Sequence, residues 1–240
     1  MNLCSTHELQ SVAGGYPALT PRHWTMRVSA DRLSRIRRCL SMRQEDVCVV
    51  LDGTRYPHNI SAVVRTCDAV GIADLRFINT TVDTKVSTLL NSAARGSDKW
   101  VRAETFNDRA KLLTDLKNEG KKVVATRMDG MDFREYDWTE PFALVLGEET
   151  NGVSRETTDM ADAAVSIPMY GMVESFNVSV ANGILLYEMH RQRQLKGMYD
   201  EMKHIDDQLL FEHALPKVAQ ILRESGRKYP KLVDGEFLFE

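Results

Sequence analysis

Residues 47–78 read VCVVLDGTRYPHNISAVVRTCDAVGIADLRFI. Val47–Leu51 is a short β-branched run and reads as a strand. A loop with Gly53 and Pro57 follows it; Asn59 then caps a helix running to Val70, and Gly71 ends that helix as a C′ glycine. Leu75–Ile78 is the next strand. The same alternation continues downstream. A helix near Lys85–Ala94 precedes a strand at Trp100–Ala103, and a helix from Asn107 to Glu119 closes at Gly120 before the strand Val123–Thr126. Phe142–Leu146 and Ala163–Ile167 are two further strands, with a short helix after Ser154 between them. A long helix spans about Asn177 to Leu195, and another lies between Asp206 and Arg223. Alternating β and α units of this length predict an α/β fold, a mostly parallel sheet covered by helices on both faces.

The whole chain is consistent with that reading. Its 240 residues carry a net charge of −3 and 43% hydrophobic residues, enough for a folded core without a disulfide or metal staple. No apolar run approaches the roughly 20 residues of a membrane helix, so no membrane partner is expected. The N-terminus shows no basic region followed by an apolar one, and the four cysteines form no CxxC pair. A cytoplasmic protein with reduced thiols is expected. Residues 1–24 are polar, with Gly14-Gly15, Pro17 and Pro21, and read as a loose extension.

The mild net charge hides segregation. From Arg27 to Arg43 there are six arginines against one acid, Asp31, while Leu33, Ile36 and Leu40 recur at helical spacing. A second basic cluster, Arg191, Arg193 and Lys196, ends the long helix. Asp129 to Asp162 holds ten acids and only Arg134 and Arg155. A solvated helix face usually mixes lysine, glutamate and arginine. Six arginines without a lysine favour bidentate phosphate contact, hence nucleic acid.

Ligands of such folds bind beyond the carboxyl ends of the strands, and three loops there carry chemistry. In residues 58–71, Ile60, Val63, Val64, Cys67 and Val70 form one apolar arc, and Ser61, Arg65 and Asp68 face the other way. In LVLGEETNGVS (144–154), Gly147 and Gly152 let the backbone turn tightly beside Glu148, Glu149 and Asn151. In IPMYGMVESFNVSVANGILLYE (167–188), an apolar loop leads to Ser175 and Asn177 at the mouth of a helix. Such a loop suits an adenine ring and a thioether better than a triphosphate, or else a methionine-rich core corner. No GxGxxG, P-loop, GxSxG or HExxH sequence is present, and the histidines show no metal-ligand spacing. No metal is expected.

Taken in order, these loops resemble the TrmH branch of the SPOUT (trefoil-knot) RNA methyltransferases, over about Val28 to Glu236, including QLLFE (208–212), KYP (228–230) and DGE (234–236). The resemblance implies a C-terminal trefoil knot with flanking N- and C-terminal helices, a homodimer, and S-adenosyl-L-methionine as methyl donor to a tRNA ribose 2′-hydroxyl, that of a D-loop guanosine. It divides the chain into a loose extension (1–25), a methyltransferase domain with its basic helix (26–196) and a C-terminal helical extension (197–240). It places Asn59, Arg65, Glu149, Ser175 and Asn177 in catalysis. Thr126, Gly147, Ile167, Met169 and Phe176 would hold the cofactor, mainly through backbone groups. Arg32, Arg35, Arg43, Arg191 and Arg193 would contact tRNA. Phe176 departs from the family's commoner leucine, which alters packing and not the backbone contact.

A guanidinium is effectively never deprotonated, so Arg65 is expected to pin a phosphate and stabilise the developing alkoxide rather than act as the base. Glu149 would orient the acceptor or balance the sulfonium. The alternatives are a ribosomal-RNA 2′-O-methyltransferase of the same superfamily, or an RNA-binding relative without catalysis.

Overall fold

The computed structural model describes residues 24–78, 100–148, 150–200, 203–226 and 228–239. The helix expected near Lys85–Ala94 and the catalytic candidate Glu149 lie outside them. The described residues fall into two compact units: those up to Ile36 together with those from Ile205 onward, and those between Arg37 and His204.

The larger unit holds a six-stranded sheet. Its strands are β2 (Val47–Asp52), β3 (Asp74–Ile78), β4 (Arg102–Phe106), β5 (Lys122–Asp132), β6 (Phe142–Leu146) and β7 (Ala163–Ser166). Their order is β4-β3-β2-β6-β5-β7 and every pairing is parallel. β2, β3 and β6 are buried at every position, as expected of strands covered on both sides. On one face, Val47, Val49, Leu51, Leu144 and Leu146 share a core with α2 (Pro57–Ala69) and α5 (Val178–Leu195). On the other, Cys48, Val50, Ala143 and Val145 pack with Leu112, Leu113 and Leu116 of α3 (Arg109–Asn118), and with Met160 of α4 (Arg155–Met160). The expected two-faced α/β sheet is present.

Three boundaries differ from expectation. β4 begins two residues later than the expected strand at Trp100 and is a partly exposed edge. β5 runs six residues past Thr126, because the chain makes an excursion at 127–130 and returns, so that Thr126 and Met131 both pair with Val165. Gly130 permits that return: a Cβ there would lie 2.6 Å from the Val165 carbonyl carbon. Asn59 is not a cap. Tyr56, in extended backbone, precedes the helix and Pro57 opens it, the position where a missing N–H costs nothing.

The smaller unit contains β1 (Trp24–Arg27), α6 (Asp207–Ala214), α7 (Pro216–Glu224), β8 (Lys231–Val233) and β9 (Glu236–Phe239). Its three strands form an antiparallel sheet, β1-β9-β8. Residues 24 and 25, expected to be loose, thus belong to a strand. The tail expected to be helical ends in a hairpin whose turn is Asp234-Gly235, with φ of 50° and 82°. The single helix expected from Asp206 to Arg223 is two, because Pro216 excludes Leu215 from helical geometry (φ −134°, ψ 59°). α1 (Ala30–Ser41) buries Leu33, Ile36 and Leu40, the arc its spacing predicted.

Candidate active site

Beyond the carboxyl ends of β5, β6 and β7 lies a cavity of about 740 Å³. Thr126, Gly147, Ile167, Met169 and Phe176 all line it, and so does Ser175. Residues up to fifty apart in sequence are gathered there because parallel strands deliver their exit loops to one edge. Thr126 is held by its hydroxyl, which donates to the Val145 carbonyl at 3.2 Å.

The loop after β6 is built on close backbone approach. The Glu148 amide donates to the Gly152 carbonyl at 3.1 Å and the Gly152 amide returns to the Glu148 carbonyl at 2.8 Å. A Cβ on Gly147 would sit 2.0 Å from the Gly152 carbonyl carbon, so only glycine fits. Gly152 itself has φ of 66°, which also favours glycine. Glu148 is fixed by Asn151 Nδ2 at 3.0 Å and by Arg55 at 3.4 Å.

The cavity is apolar along Leu146, Val165, Ile167 and Phe176, and carries Asp129, Glu148, Asp159 and Glu174 on its polar side. The Arg127 guanidinium, hydrogen-bonded to Asp129, holds that carboxyl below its ordinary range and so ionised. Its volume falls within the roughly 300–1,000 Å³ of small-molecule pockets. An apolar slot edged by carboxylates fits a flat heterocycle joined to a cation, the chemistry of S-adenosylmethionine.

Asn177 connects the cavity loop to α2. It caps α5, its side-chain oxygen accepting from the Ser179 amide at 2.9 Å. Its Nδ2 donates to buried Asn59 Oδ1 at 3.1 Å. Two of the expected polar residues, 118 positions apart, are thereby in direct contact. Arg65 lies further along α2, exposed, and makes no hydrogen bond or ion pair among the described residues. It is not part of the cavity wall. Ser61, expected on the polar side with Arg65, is instead buried, its hydroxyl donating to the Pro57 carbonyl at 3.0 Å.

The expected tRNA arginines divide into two groups. Arg32 and Arg35 are exposed on α1, and Arg191 is exposed on α5 beside Glu188 at 2.7 Å. Arg43 and Arg193 are buried, which corrects their assignment. Arg43 donates to Asp68 at 2.9 Å and to the Ile72 carbonyl at 3.3 Å. Arg193 is fully buried and spends its fork on Asp46, at 2.8 Å through both terminal nitrogens, and on Gln44, Trp138 O and Glu140 O at 2.9 Å. Arg193 has no edge left for a phosphate, and burial keeps Arg43 from one.

Sequence reading missed a polar cluster beside the cavity. Asp52, at the end of β2 and 3% exposed, accepts from Arg109 Nη2 at 2.7 Å and from Thr157 Oγ1 at 2.9 Å. The only local signal is an acid closing an otherwise apolar strand; its partners lie 57 and 105 residues away.

Comparison with known proteins places the chain. Residues 46–187 match the SpoU rRNA Methylase family, and residues 191–238 match the C-terminal segment of SpoU rRNA methylases. The tRNA (guanosine(18)-2′-O)-methyltransferase of Aquifex aeolicus is 45% identical over 174 residues, covering 72% of this chain and 82% of that protein. The crystal structure of the A. aeolicus TrmH/SpoU tRNA modifying enzyme superposes with a TM-score of 0.65 at 38% identity, over 82% of this chain and 96% of that one. The SpoU methyltransferase AviRb from Streptomyces viridochromogenes, solved with AdoMet, superposes with a TM-score of 0.57 at 29% identity, over 65% of this chain and 61% of that one. With a family match across more than half its length and these relatives beside it, the chain belongs to the SpoU methylase family.

Proposed function

We propose that the protein is a tRNA (guanosine(18)-2′-O)-methyltransferase using S-adenosylmethionine. The observation that carries this reading is the junction of cavity and acceptor residues: three exit loops enclose one cavity of cofactor size, and Asn177 at its mouth bonds Asn59 at the root of the helix that carries Arg65. The close A. aeolicus relative supports tRNA as the substrate.

When bound, S-adenosylmethionine supplies a methyl on a cationic sulfur; the ribose 2′-oxygen gains the C–O bond as the C–S pair returns to sulfur, and the hydroxyl proton leaves to solvent. The chain's part is positioning and charge. Gly147–Val153 and the loop at Ile167–Phe176 hold the cofactor, with carboxylates at Asp129 and Glu174 facing a cation. Arg65, exposed and unengaged among the described residues, holds a phosphate and stabilises the alkoxide that develops on the acceptor. Glu149 and Ser175 orient the ribose, and the Asn59–Asn177 pair sets the distance between the acceptor helix and the cavity. Arg32, Arg35 and Arg191 contact the tRNA backbone.

The knot, homodimer and cytoplasmic location belong to the same proposal. The likeness to the A. aeolicus TrmH/SpoU structure supports the knot. Val180 and Tyr187, seven residues apart and both exposed on α5, lie on one side of that helix and support pairing with a second copy. Buried free thiols at Cys48 and Cys67 accord with a reducing compartment. Calorimetry of the full chain with S-adenosylmethionine tests the cavity: binding without RNA is expected, and none at millimolar cofactor would leave only RNA binding.

A further inference from the structure

The carboxyl end of β2 touches both ends of the cofactor loop. Leu51 pairs with Leu146, the residue before Gly147, so Asp52 and Gly53 emerge where the loop begins. A Cβ on Gly53 would stand 3.7 Å from Glu148 Cβ. The loop's far end returns to the same place. Ser154, which caps α4, donates its hydroxyl to Thr157 Oγ1 at 3.0 Å, and Thr157 passes its own to Asp52 Oδ2 at 2.9 Å. Arg109, from the start of α3, grips Asp52 through Nε at 3.2 Å and Nη2 at 2.7 Å, and reaches Glu156 of α4 through Nη1 at 3.0 Å. Those bonds to Asp52 raise the Arg109 pKa further, so its guanidinium stays charged between the Asp52 and Glu156 carboxylates. α4 in turn presents Arg155, Thr158 and Asp159 to the cavity.

We propose that Asp52 is a positioning residue for the cofactor. Its buried carboxylate, joined to Thr157 and Arg109, closes the segment from Gly147 to Thr157 into a ring anchored on β2, and so fixes the cavity wall before the cofactor arrives. A preset wall spares binding the cost of ordering a glycine-containing loop. Asp52 touches neither substrate nor the cavity interior, and its effect passes through α4 and the loop. This inference rests on the cavity being the S-adenosylmethionine site.

The test compares full-length wild type, Asp52→Asn and Thr157→Val by calorimetry with S-adenosylmethionine, by filter binding with tRNA, and by steady-state methyl transfer. Asp52→Asn keeps the size of the side chain and removes its charge. It should raise the cofactor Kd and KM about 10- to 100-fold, the scale on which small misplacements are felt. Its tRNA affinity should be unchanged, and kcat at saturating cofactor should stay within about threefold, because the misplaced wall is filled once the cofactor is forced in. Thr157→Val leaves the ion pair intact and removes one hydroxyl with its two hydrogen bonds, to Ser154 and to Asp52; a rise of about threefold to tenfold is expected. That variant keeps the test decisive should Asp52→Asn fold poorly. Wild-type cofactor affinity in Thr157→Val and in any folded Asp52→Asn would overturn the proposal and leave the enzymatic reading standing. So would a fall in kcat with an unchanged cofactor KM. If wild type itself binds no S-adenosylmethionine, the cavity assignment falls and this inference with it.

Discussion

Arg65 and Arg193 are both arginines in motif positions, and their surroundings give them opposite fates. Arg65 stands exposed on α2 with no partner among the described residues. Its removal opens no core cavity, so Arg65→Ala should leave unfolding midpoint and cofactor affinity in place. Single-turnover methyl transfer at saturating tRNA should fall about 100- to 1,000-fold, the usual cost of deleting one preorganised donor. Arg65→Lys should fail nearly as badly, since an ammonium lacks the planar fork; near-native rates in either variant would make the residue structural. Arg193 is buried against Asp46, 2.8 Å away. Arg193→Ala leaves the Trp138 and Glu140 carbonyls and the Gln44 side chain without their donor, and the partly exposed Asp46 carboxylate without its charge partner. Each buried group left unsatisfied costs about 1–3 kcal/mol. Denaturant unfolding should show that loss as a lower midpoint, whereas a tRNA-contact residue would alter only binding. The two cannot be told apart in sequence. Burial depends on Gln44, Asp46 and Trp138, each about 55 to 150 residues away.

At the scale of elements, what the sequence made legible was local. β-branched runs placed β2, β3 and β6, and glycines at 71 and 120, with φ near 83° and 82°, marked two helix ends. Ser154 and Asn177 cap the helices that follow them. Asp234-Gly235 is a two-residue hairpin turn of the favoured kind, and the Asp-Gly pair in VDGEF carries that signal locally. Pro216 carried a legible break as well. The excursion of β5 was not legible, because its cause is the approach of β7 from more than 30 residues downstream. The cavity loop was legible as a glycine turn but not in its tightness. Gly147→Ala forces a methyl onto the Gly152 backbone, where the contact would be 2.0 Å. The loop must open, and cofactor binding by calorimetry should weaken by at least about tenfold, with the fold retained by circular dichroism. An unchanged Kd would place the cofactor elsewhere.

For the whole molecule, pH and salt report on different parts. Burial pushes the Cys67 thiol from 9.0 up to about 12, and the Tyr136 and Tyr199 phenols from 10.0 up to about 12. In each case the folded state favours the neutral form. Their contribution to stability is therefore complete below about pH 9 and is lost as pH rises toward 12. Denaturant unfolding across that range should show a steady decline; a flat profile to pH 12 would mean these groups are solvated. tRNA binding should weaken steeply with salt, each phosphate contact adding about −0.9 to the log–log slope on duplex and about −0.7 on single strand. Arg35→Ala should remove about one such contact, and an unaltered slope would mean that α1 is merely solvated. Methyl transfer to one ribose oxygen is tested by nucleoside analysis of tRNA after incubation with the full chain and labelled S-adenosylmethionine. Label is expected in 2′-O-methylguanosine at position 18, in wild type and not in Arg65→Ala. Label on a base, or tRNA that is bound and stays unmethylated, would contradict it.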